Sequence, residues 1–177
     1  MTITITTPLQ PAIIESLRAG DEVLISGTIF TARDAAHKRL AELIENGMSL
    51  PVDLKDQIIY YTGPTPAQPG KVIGSAGPTT SSRMDPYTPI LIKSSGMRGI
   101  IGKGNRSADV KKALVDFGCI YFVAIGGAGA LLSRSITSSE IVCYDDLGAE
   151  AIYKLSVKDF PVIVAIDTEG NNVYERL

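Results

Sequence analysis

Threonine and isoleucine alternate from Thr2 to Thr6, a period-2 pattern that predicts a half-buried strand. Pro8 and Pro11 bracket the entry to a short helix expected over Ala12 to Arg18 and closed by Gly20. The β-branched run from Val23 to Phe30 predicts the next strand, with Gly27 marking a bulge or a close backbone approach. The period then changes. Ala36, Leu40, Leu43 and Ile44 recur at helical spacing, so 32–45 reads as an amphipathic helix. Thr31 is its expected N-cap, Asp34 takes a capping-box-like position, and Asn46-Gly47 ends it.

Residues 48–57 form a polar connection to a short strand, Gln57 to Thr62, which is cut off by the Pro- and Gly-rich stretch from Gly63 to Gly70. Lys71 to Ala76 is expected to be a further strand. Pro86 to Ser94 suits a helix with Pro89 in its first turn, and Arg98 to Asn105 a short strand that ends with Lys103 between two glycines. Ser107 caps a helix over Ala108 to Phe117, stopped by Gly118. Cys119 to Ile125 is a continuous apolar run, consistent with a strand buried on both faces. Gly126-Gly127-Ala128-Gly129 turns into a helical segment. Strands are expected at Glu140–Tyr144, Ala151–Val157 and Pro161–Asp167, with a hairpin turn at Glu169–Asn172. A β-rich beginning and end around a βαβαβ-like middle (71–125) predicts one α/β domain of two or three layers spanning 1–177.

Composition narrows what such a domain does. The chain has 177 residues, 45% of them apolar and 20% charged, and a net charge of −2. It is long enough for one hydrophobic core and carries no basic patch suited to nucleic acid or a membrane surface. No apolar run approaches the ~20 residues needed to cross a bilayer, and the N-terminus lacks the pattern of a signal peptide, so a cytoplasmic protein is expected. The two cysteines, Cys119 and Cys143, read as reduced core thiols; with a single histidine they are too few to complete a zinc or iron–sulfur site within this chain.

One stretch fits no ordinary element. Gly77-Pro78-Thr79-Thr80-Ser81-Ser82-Arg83-Met84-Asp85 places four consecutive hydroxyl residues and an arginine behind a Gly-Pro turn. Hydroxyl side chains compete for backbone hydrogen bonds and favour caps and turns over element interiors. Such a run at a helix start, with Arg83 beside it, suits an anion such as a carboxylate or phosphate. Two further strand ends carry cations: Arg33 with His37, four residues apart on one helix face, and Lys103. Arg33 falls in a first helical turn, where the dipole disfavours a cation unless an anion is present. Taken singly, Arg33 and Arg83 also suit structural ion pairs and Lys103 a turn. Taken together, three cations at the carboxyl ends of strands suit a small dianion such as a dicarboxylate.

The remaining candidates stay open on the residues alone. His37 suits an acid–base catalyst or a group that orients a partner by hydrogen bonding. Thr79 and Thr80 are unactivated alcohols; their activation needs a strong proton acceptor, and no obvious carboxylate stands beside them in the sequence. Gly126-Gly127-Ala128-Gly129 lacks the GxGxxG spacing of a dinucleotide loop and better suits tight helix–strand packing.

Two strings in this chain are specific: Thr31-Ala32-Arg33-Asp34-Ala35-Ala36-His37-Lys38-Arg39 and the hydroxyl run through Met84-Asp85. Tyr61-Thr62-Gly63-Pro64 and the less specific Ile101-Gly102-Lys103-Gly104 accompany them. With Gly126-Gly127 and Leu147-Gly148-Ala149-Glu150, they resemble the β-subunit of the iron–sulfur (class I) fumarases and L(+)-tartrate dehydratases. The resemblance implies a swivelling β/β/α domain and reversible addition of water across a dicarboxylate double bond. It implies an α-subunit partner that holds a [4Fe–4S] cluster, with no cofactor or metal in this chain. It implies that Arg33, Arg83 and Lys103 bind substrate carboxylates, with Thr80 and His37 as further substrate-binding candidates. Thr79 becomes the candidate proton-abstracting hydroxyl, made basic by a carboxylate of the partner. Gly129, where the family often has alanine, is expected to be a neutral difference. The expected activity is fumarate–malate interconversion, the alternative substrate is tartrate, and a non-catalytic anion-binding assembly subunit is the alternative of another class. Self-association is compatible with all three.

Overall fold

The computed structural model describes residues 1–124 and 128–176. Alternation along the central strands decides the architecture. Ile29, Ile58, Tyr60, Ile101 and Phe122 belong to one buried cluster, whereas their neighbours Phe30, Ile59, Tyr61, Ile100 and Tyr121 belong to another. Successive side chains of a strand leave opposite faces, so a sheet with two such faces must be covered twice. The chain does this by closing the sheet on itself on one side and laying helices on the other.

The elements are β1 (Thr2–Thr6), α1 (Pro11–Ser16), β2 (Glu22–Thr31), α2 (Asp34–Glu45), β3 (Ile58–Tyr60), α3 (Thr88–Ser95) and β4 (Gly99–Gly102). They continue with α4 (Ala108–Phe117), β5 (Ile120–Val123), α5 (Gly129–Leu132), β6 (Ile136–Cys143) and β7 (Ile152–Ile166). β2, β3, β4 and β5 pair in parallel in that order, and β7 runs antiparallel to both β5 and β2. The pairings β2–β3–β4–β5–β7–β2 therefore form a closed ring. β1 and β6 extend it as edge strands on β2 and β7. The ring interior holds the first cluster, to which α1 adds Ile14 and Leu17. The outer face packs under α2, α3 and α4, the three crossover helices between the parallel strands, through Leu40, Leu91, Val110 and Leu114.

The expected α/β class and layered sheet with flanking helices are observed, with four differences of detail. Thr31 does not cap α2: it is the last residue of β2, its hydroxyl accepts from the Tyr153 N–H (3.1 Å), and Arg33 occupies the N-cap position. Lys71 to Ala76 is not a strand. Its Val72 and Ile73 look β-forming, but Gly70 and Gly74 flank them and the segment folds back on Thr65. The parallel βαβ series already includes β2–α2–β3 and so begins well before residue 71. Finally, the two strands expected on either side of Pro161 are one strand, β7. Residues 152–157 pair with β6 and 163–166 with β5, so Pro161 lies where that edge has no partner and its missing N–H costs no ladder bond. The extra residues Lys158 and Asp159 (φ 51°) are absorbed as a bulge opposite Ser26, whose hydroxyl accepts the Asp159 N–H.

Candidate active site

The carboxyl ends of β2, β3 and β4 lie side by side, and each releases one part of the candidate site. β2 ends at Thr31 and leads to Arg33; β3 ends at Tyr60 and leads through Tyr61-Thr62-Gly63; β4 ends at Gly102 and leads to Lys103. The hydroxyl run is stitched between the last two. Thr79 donates its N–H to the Tyr61 carbonyl (2.8 Å), and Thr62 Oγ1 donates to the Gly77 carbonyl (2.7 Å). Thr80 forms a parallel bridge with Lys103, and the Ser81 N–H donates to the Lys103 carbonyl (3.0 Å) while Ser81 Oγ accepts the Lys103 N–H (3.0 Å). This approach needs Gly102, because a Cβ there would lie 1.9 Å from Ser81 Oγ. Ser81–Met84 then makes one 3-10 turn, not an α-helix start. The stretch is an extended arm pinned to two strand ends, with Thr79 half-buried and Thr80, Ser82 and Arg83 exposed.

Arg33 and Arg83 meet through the residue between their elements. Arg83 Nε and Nη2 both contact Asp34 Oδ2, at 2.9 and 2.8 Å. The Arg33 side chain lies over Gly63, where an added Cβ would come within 2.9 Å of its Cδ, and its Nε is buried with no hydrogen-bond partner. Among the described residues neither Arg33 nor Lys103 makes an ion pair. The turn at 145–150 closes this corner: the Glu150 carboxylate accepts the Ala35 N–H (3.3 Å) at the start of α2, and the Ala149 carbonyl faces Gly63. Arg33, Thr79, Arg83 and Lys103 thus share one rim, with two cations outside any ion pair among the described residues and one held by the half-buried Asp34 carboxylate.

His37 stands apart. Its ring is 1% exposed and packs edge-on to Tyr61 at 5.1 Å between centroids. Nδ1 lies 2.8 Å from the Arg33 carbonyl, which makes Nδ1 the protonated nitrogen, and the buried Nε2 has no partner. Burial lowers its pKa to about 4, against the raising effects of the Arg33 carbonyl and Asp34, with the Arg106 charge lowering it further. The neutral imidazole fixes the backbone that carries Arg33 and does not open onto the rim.

Sequence reading missed the base of the site. Arg106 is an arginine with a side chain 0% exposed. Its Nε donates to Asp85 Oδ1 (2.7 Å), and its Nη2 to the Tyr61 hydroxyl (3.1 Å) and Thr88 Oγ1 (2.9 Å). Burial acts against its charge, but Tyr61, Tyr121 and Asp85 outweigh it and hold its pKa above the usual arginine value. Nothing in Asn105-Arg106-Ser107 signals this, because arginine before an N-cap serine is ordinarily a surface residue. The buried partner Asp85 closes the hydroxyl motif and was legible only as part of that string.

Gly129 is also more than a neutral difference. The Ala76 N–H donates to the Gly129 carbonyl (3.2 Å), and a Cβ on Gly129 would lie 2.8 Å from the Gly77 nitrogen and 2.3 Å from Ser75 Oγ. α5 can touch the start of the hydroxyl arm because Gly129 lacks a side chain there, and a Cβ on Gly77 would also be tight, at 3.3 Å from the Gly129 Cα. Gly126-Gly127 lies outside the described residues.

The model of the fumarase C-terminus family matches residues 1–177. The chain belongs to that family. It is 43% identical over 154 residues to a protein of Escherichia coli K12 named fumarate hydratase class I, anaerobic, covering 86% of this chain and 28% of that protein. It is 39% identical over 155 residues to fumarate hydratase 1, mitochondrial, of Leishmania major, with 86% and 28% covered. It is also 39% identical over 169 residues to a Methanocaldococcus jannaschii protein provisionally named L(+)-tartrate dehydratase subunit beta, with 93% and 87% covered. The family member therefore spans between a quarter and about a third of the fumarate hydratases it matches but most of the tartrate dehydratase subunit. Its relatives are named as enzymes that add or remove water, which supports a function related to hydro-lyases. Among the described residues no helix is long and apolar enough to cross a membrane.

Proposed function

We propose that this chain is the β-subunit of a two-subunit hydro-lyase that interconverts fumarate and L-malate. The observation that supports it most is the shared rim: Arg33 and Lys103 follow the carboxyl ends of β2 and β4, Thr79 is hydrogen-bonded to Tyr61 at the end of β3 between them, and Arg83 is tied to Asp34, beside Arg33. In this reading Arg33, Arg83 and Lys103 neutralise the two substrate carboxylates and orient the carbon chain. Thr79 Oγ takes the proton from the carbon beside one carboxylate, and Thr80 lines the same edge. The Thr79 backbone N–H is held by the Tyr61 carbonyl, so the Thr79 hydroxyl is presented from a fixed point. A partner carboxylate accepts the proton from Thr79, since no acidic side chain of this chain bonds to that hydroxyl among the described residues. His37 holds the Arg33 backbone.

The residues of this chain do not fit an iron–sulfur cluster. The Cys119 thiol is fully buried, with its pKa pushed up to about 12 by burial, and Cys143 lies on the edge strand β6. Among the described residues no three metal-binding side chains gather. The proposal places the [4Fe–4S] cluster on the α-subunit, where it would supply Lewis acidity when bound. Residues 1–177 act as one swivelling unit over the partner's half of the site, in the cytoplasm, where both thiols stay reduced.

Co-purification with the α-subunit and assay of malate dehydration tests the reading. Activity that falls by about 100-fold or more in Thr79→Ala and Arg83→Ala complexes is expected; wild-type turnover in both would leave only a non-catalytic anion-binding assembly subunit. The same complex is to be assayed on L(+)-tartrate, because the relative matched along 87% of its length bears that substrate's name. Turnover of tartrate and not malate would move the assignment to tartrate dehydratase.

A further inference from the structure

Arg106 touches three residues that anchor the hydroxyl arm, Tyr61, Tyr121 and Asp85, and none of its reactive groups. At the start of the arm, Tyr61 receives the Thr79 N–H on its carbonyl, and the Tyr61 hydroxyl takes a hydrogen bond from Arg106 Nη2 (3.1 Å). In the middle, the Tyr121 hydroxyl is hydrogen-bonded to Ser81 Oγ (2.8 Å) and to the Gly104 carbonyl (2.7 Å). The Arg106 guanidinium lies against the rings of both tyrosines, 5.2 Å from the Tyr61 centroid and 4.9 Å from the Tyr121 centroid. At the end, Asp85 closes the 3-10 turn and binds Arg106 Nε through Oδ1, while its Oδ2 accepts the Ser107 N–H that opens α4. Lys103 is three residues from Arg106, and its N–H and C=O are both held by Ser81.

We infer that Arg106 is a positioning residue for the hydro-lyase reaction: it sets the register between the Thr79–Arg83 arm and Lys103, so that the proton-abstracting hydroxyl and the carboxylate-binding ammonium face the substrate at a fixed separation. The inference rests on the proposed hydro-lyase reading. A planar fork suits this role in a way that a lysine does not. One rigid group donates to three side chains and lies over two aromatic rings, so displacement of any anchor is passed to the others. The alternative is that Arg106 merely fills and neutralises the core around Asp85.

The test uses the complex of both subunits. Three variants of this chain are compared with wild type: Arg106→Lys, the neutral pair Arg106→Met with Asp85→Asn, and Tyr121→Phe, which removes the hydroxyl links to Ser81 and the Gly104 carbonyl but keeps the ring. The neutral pair leaves no unpaired buried charge, so it guards against loss of folding in the lysine variant. A misplaced Thr79 is expected to lower kcat by about 100-fold in the two Arg106 variants while KM moves less than about threefold, with a smaller loss of kcat in Tyr121→Phe. Amide hydrogen exchange in the same complexes should accelerate at Thr79, Ser81 and Lys103 and stay unchanged in β5 and β7. A folded Arg106 variant with wild-type kcat, or exchange raised uniformly through the chain, would overturn the inference. If the wild-type complex turns over no dicarboxylate, the hydro-lyase reading fails instead. Selective exchange at the three amides would then still establish Arg106 as the clamp of the arm, and its absence would remove that as well.

Discussion

Arg83 and Asp34 face each other across the rim, with both Nε and Nη2 of the arginine on a single carboxylate oxygen at 2.9 and 2.8 Å. The two side chains are 54% and 32% exposed. A pair so open to water contributes at most about 1 kcal/mol to stability. Arg83→Ala is therefore expected to shift the urea midpoint of the chain only slightly, while malate turnover by the complex drops about 100-fold through loss of the carboxylate clamp. Equilibrium unfolding and steady-state kinetics on one preparation check this. A variant that loses several kcal/mol of stability yet keeps its activity would make Arg83 a structural ion pair and nothing more.

Gly129 faces Gly77 with no room for a methyl group, since a Cβ would meet the Gly77 nitrogen at 2.8 Å and Ser75 Oγ at 2.3 Å. The serine hydroxyl can rotate away, but the backbone nitrogen cannot. Gly129→Ala should cost about 1–3 kcal/mol of stability, in the range of overpacked sites. Adding Ser75→Gly should recover only part of it. Thermal unfolding of the single and double variants measures both, and an unchanged midpoint for Gly129→Ala would show that α5 shifts freely.

These contacts mark how far the sequence could be read. Strict alternation in Thr2–Thr6 and the β-branched runs revealed the strands, because period 2 with burial on a face has no other solution. Helix ends were legible where local chemistry decides them: the Ser107 hydroxyl accepts the Val110 N–H, and Gly118 takes a left-handed conformation (φ 64°). The failures are tertiary. Thr31 has the chemistry of a cap but spends its hydroxyl on β7, 122 residues away. Pro161 looks like a strand break, and only the gap between β6 and β5 makes it harmless. At the site, the cations stood out because they follow strand ends in unusual strings. Arg106 did not, because burial of an arginine depends on Asp85, Tyr61 and Tyr121 arriving from three other segments.

Gly102 and Ser81 give a third prediction. Ser81 Oγ fits against the Gly102 backbone and accepts the Lys103 N–H, so Gly102→Ala must push the arm off β4. Activity of the complex should fall about 100-fold, as for other small misplacements of a reacting group. Removing the obstructing hydroxyl as well, in Gly102→Ala with Ser81→Gly, should restore more of the fold's stability than of its activity. The stabilising bond to Lys103 is lost in both variants, so the separation of Thr79 from Lys103 is no longer set. Full recovery of kcat in the double variant would show that Ser81 does not set it.

His37 makes stability depend on pH with a definite sign. Its pKa falls from 6.5 to about 4 on folding, chiefly through burial, with the Arg106 charge acting in the same direction and the Arg33 carbonyl and Asp34 acting against it. The unfolded chain therefore binds a proton that the folded chain refuses between these two values. Stability from this group is complete above pH 6.5 and declines as the pH falls toward 4. The full loss is about 3 kcal/mol, and about 2 kcal/mol is reached by pH 5, at roughly 1.4 kcal/mol per pH unit. Carboxylates titrate in the lower part of the window, so the informative quantity is the difference between wild type and His37→Gln. Urea unfolding at pH 7 and pH 5 should show a larger decline for wild type than for the glutamine variant, even though the variant starts less stable at pH 7. Equal declines in the two proteins would mean that His37 takes up its proton in the folded state, and that the imidazole is not the sealed, neutral support beneath Arg33.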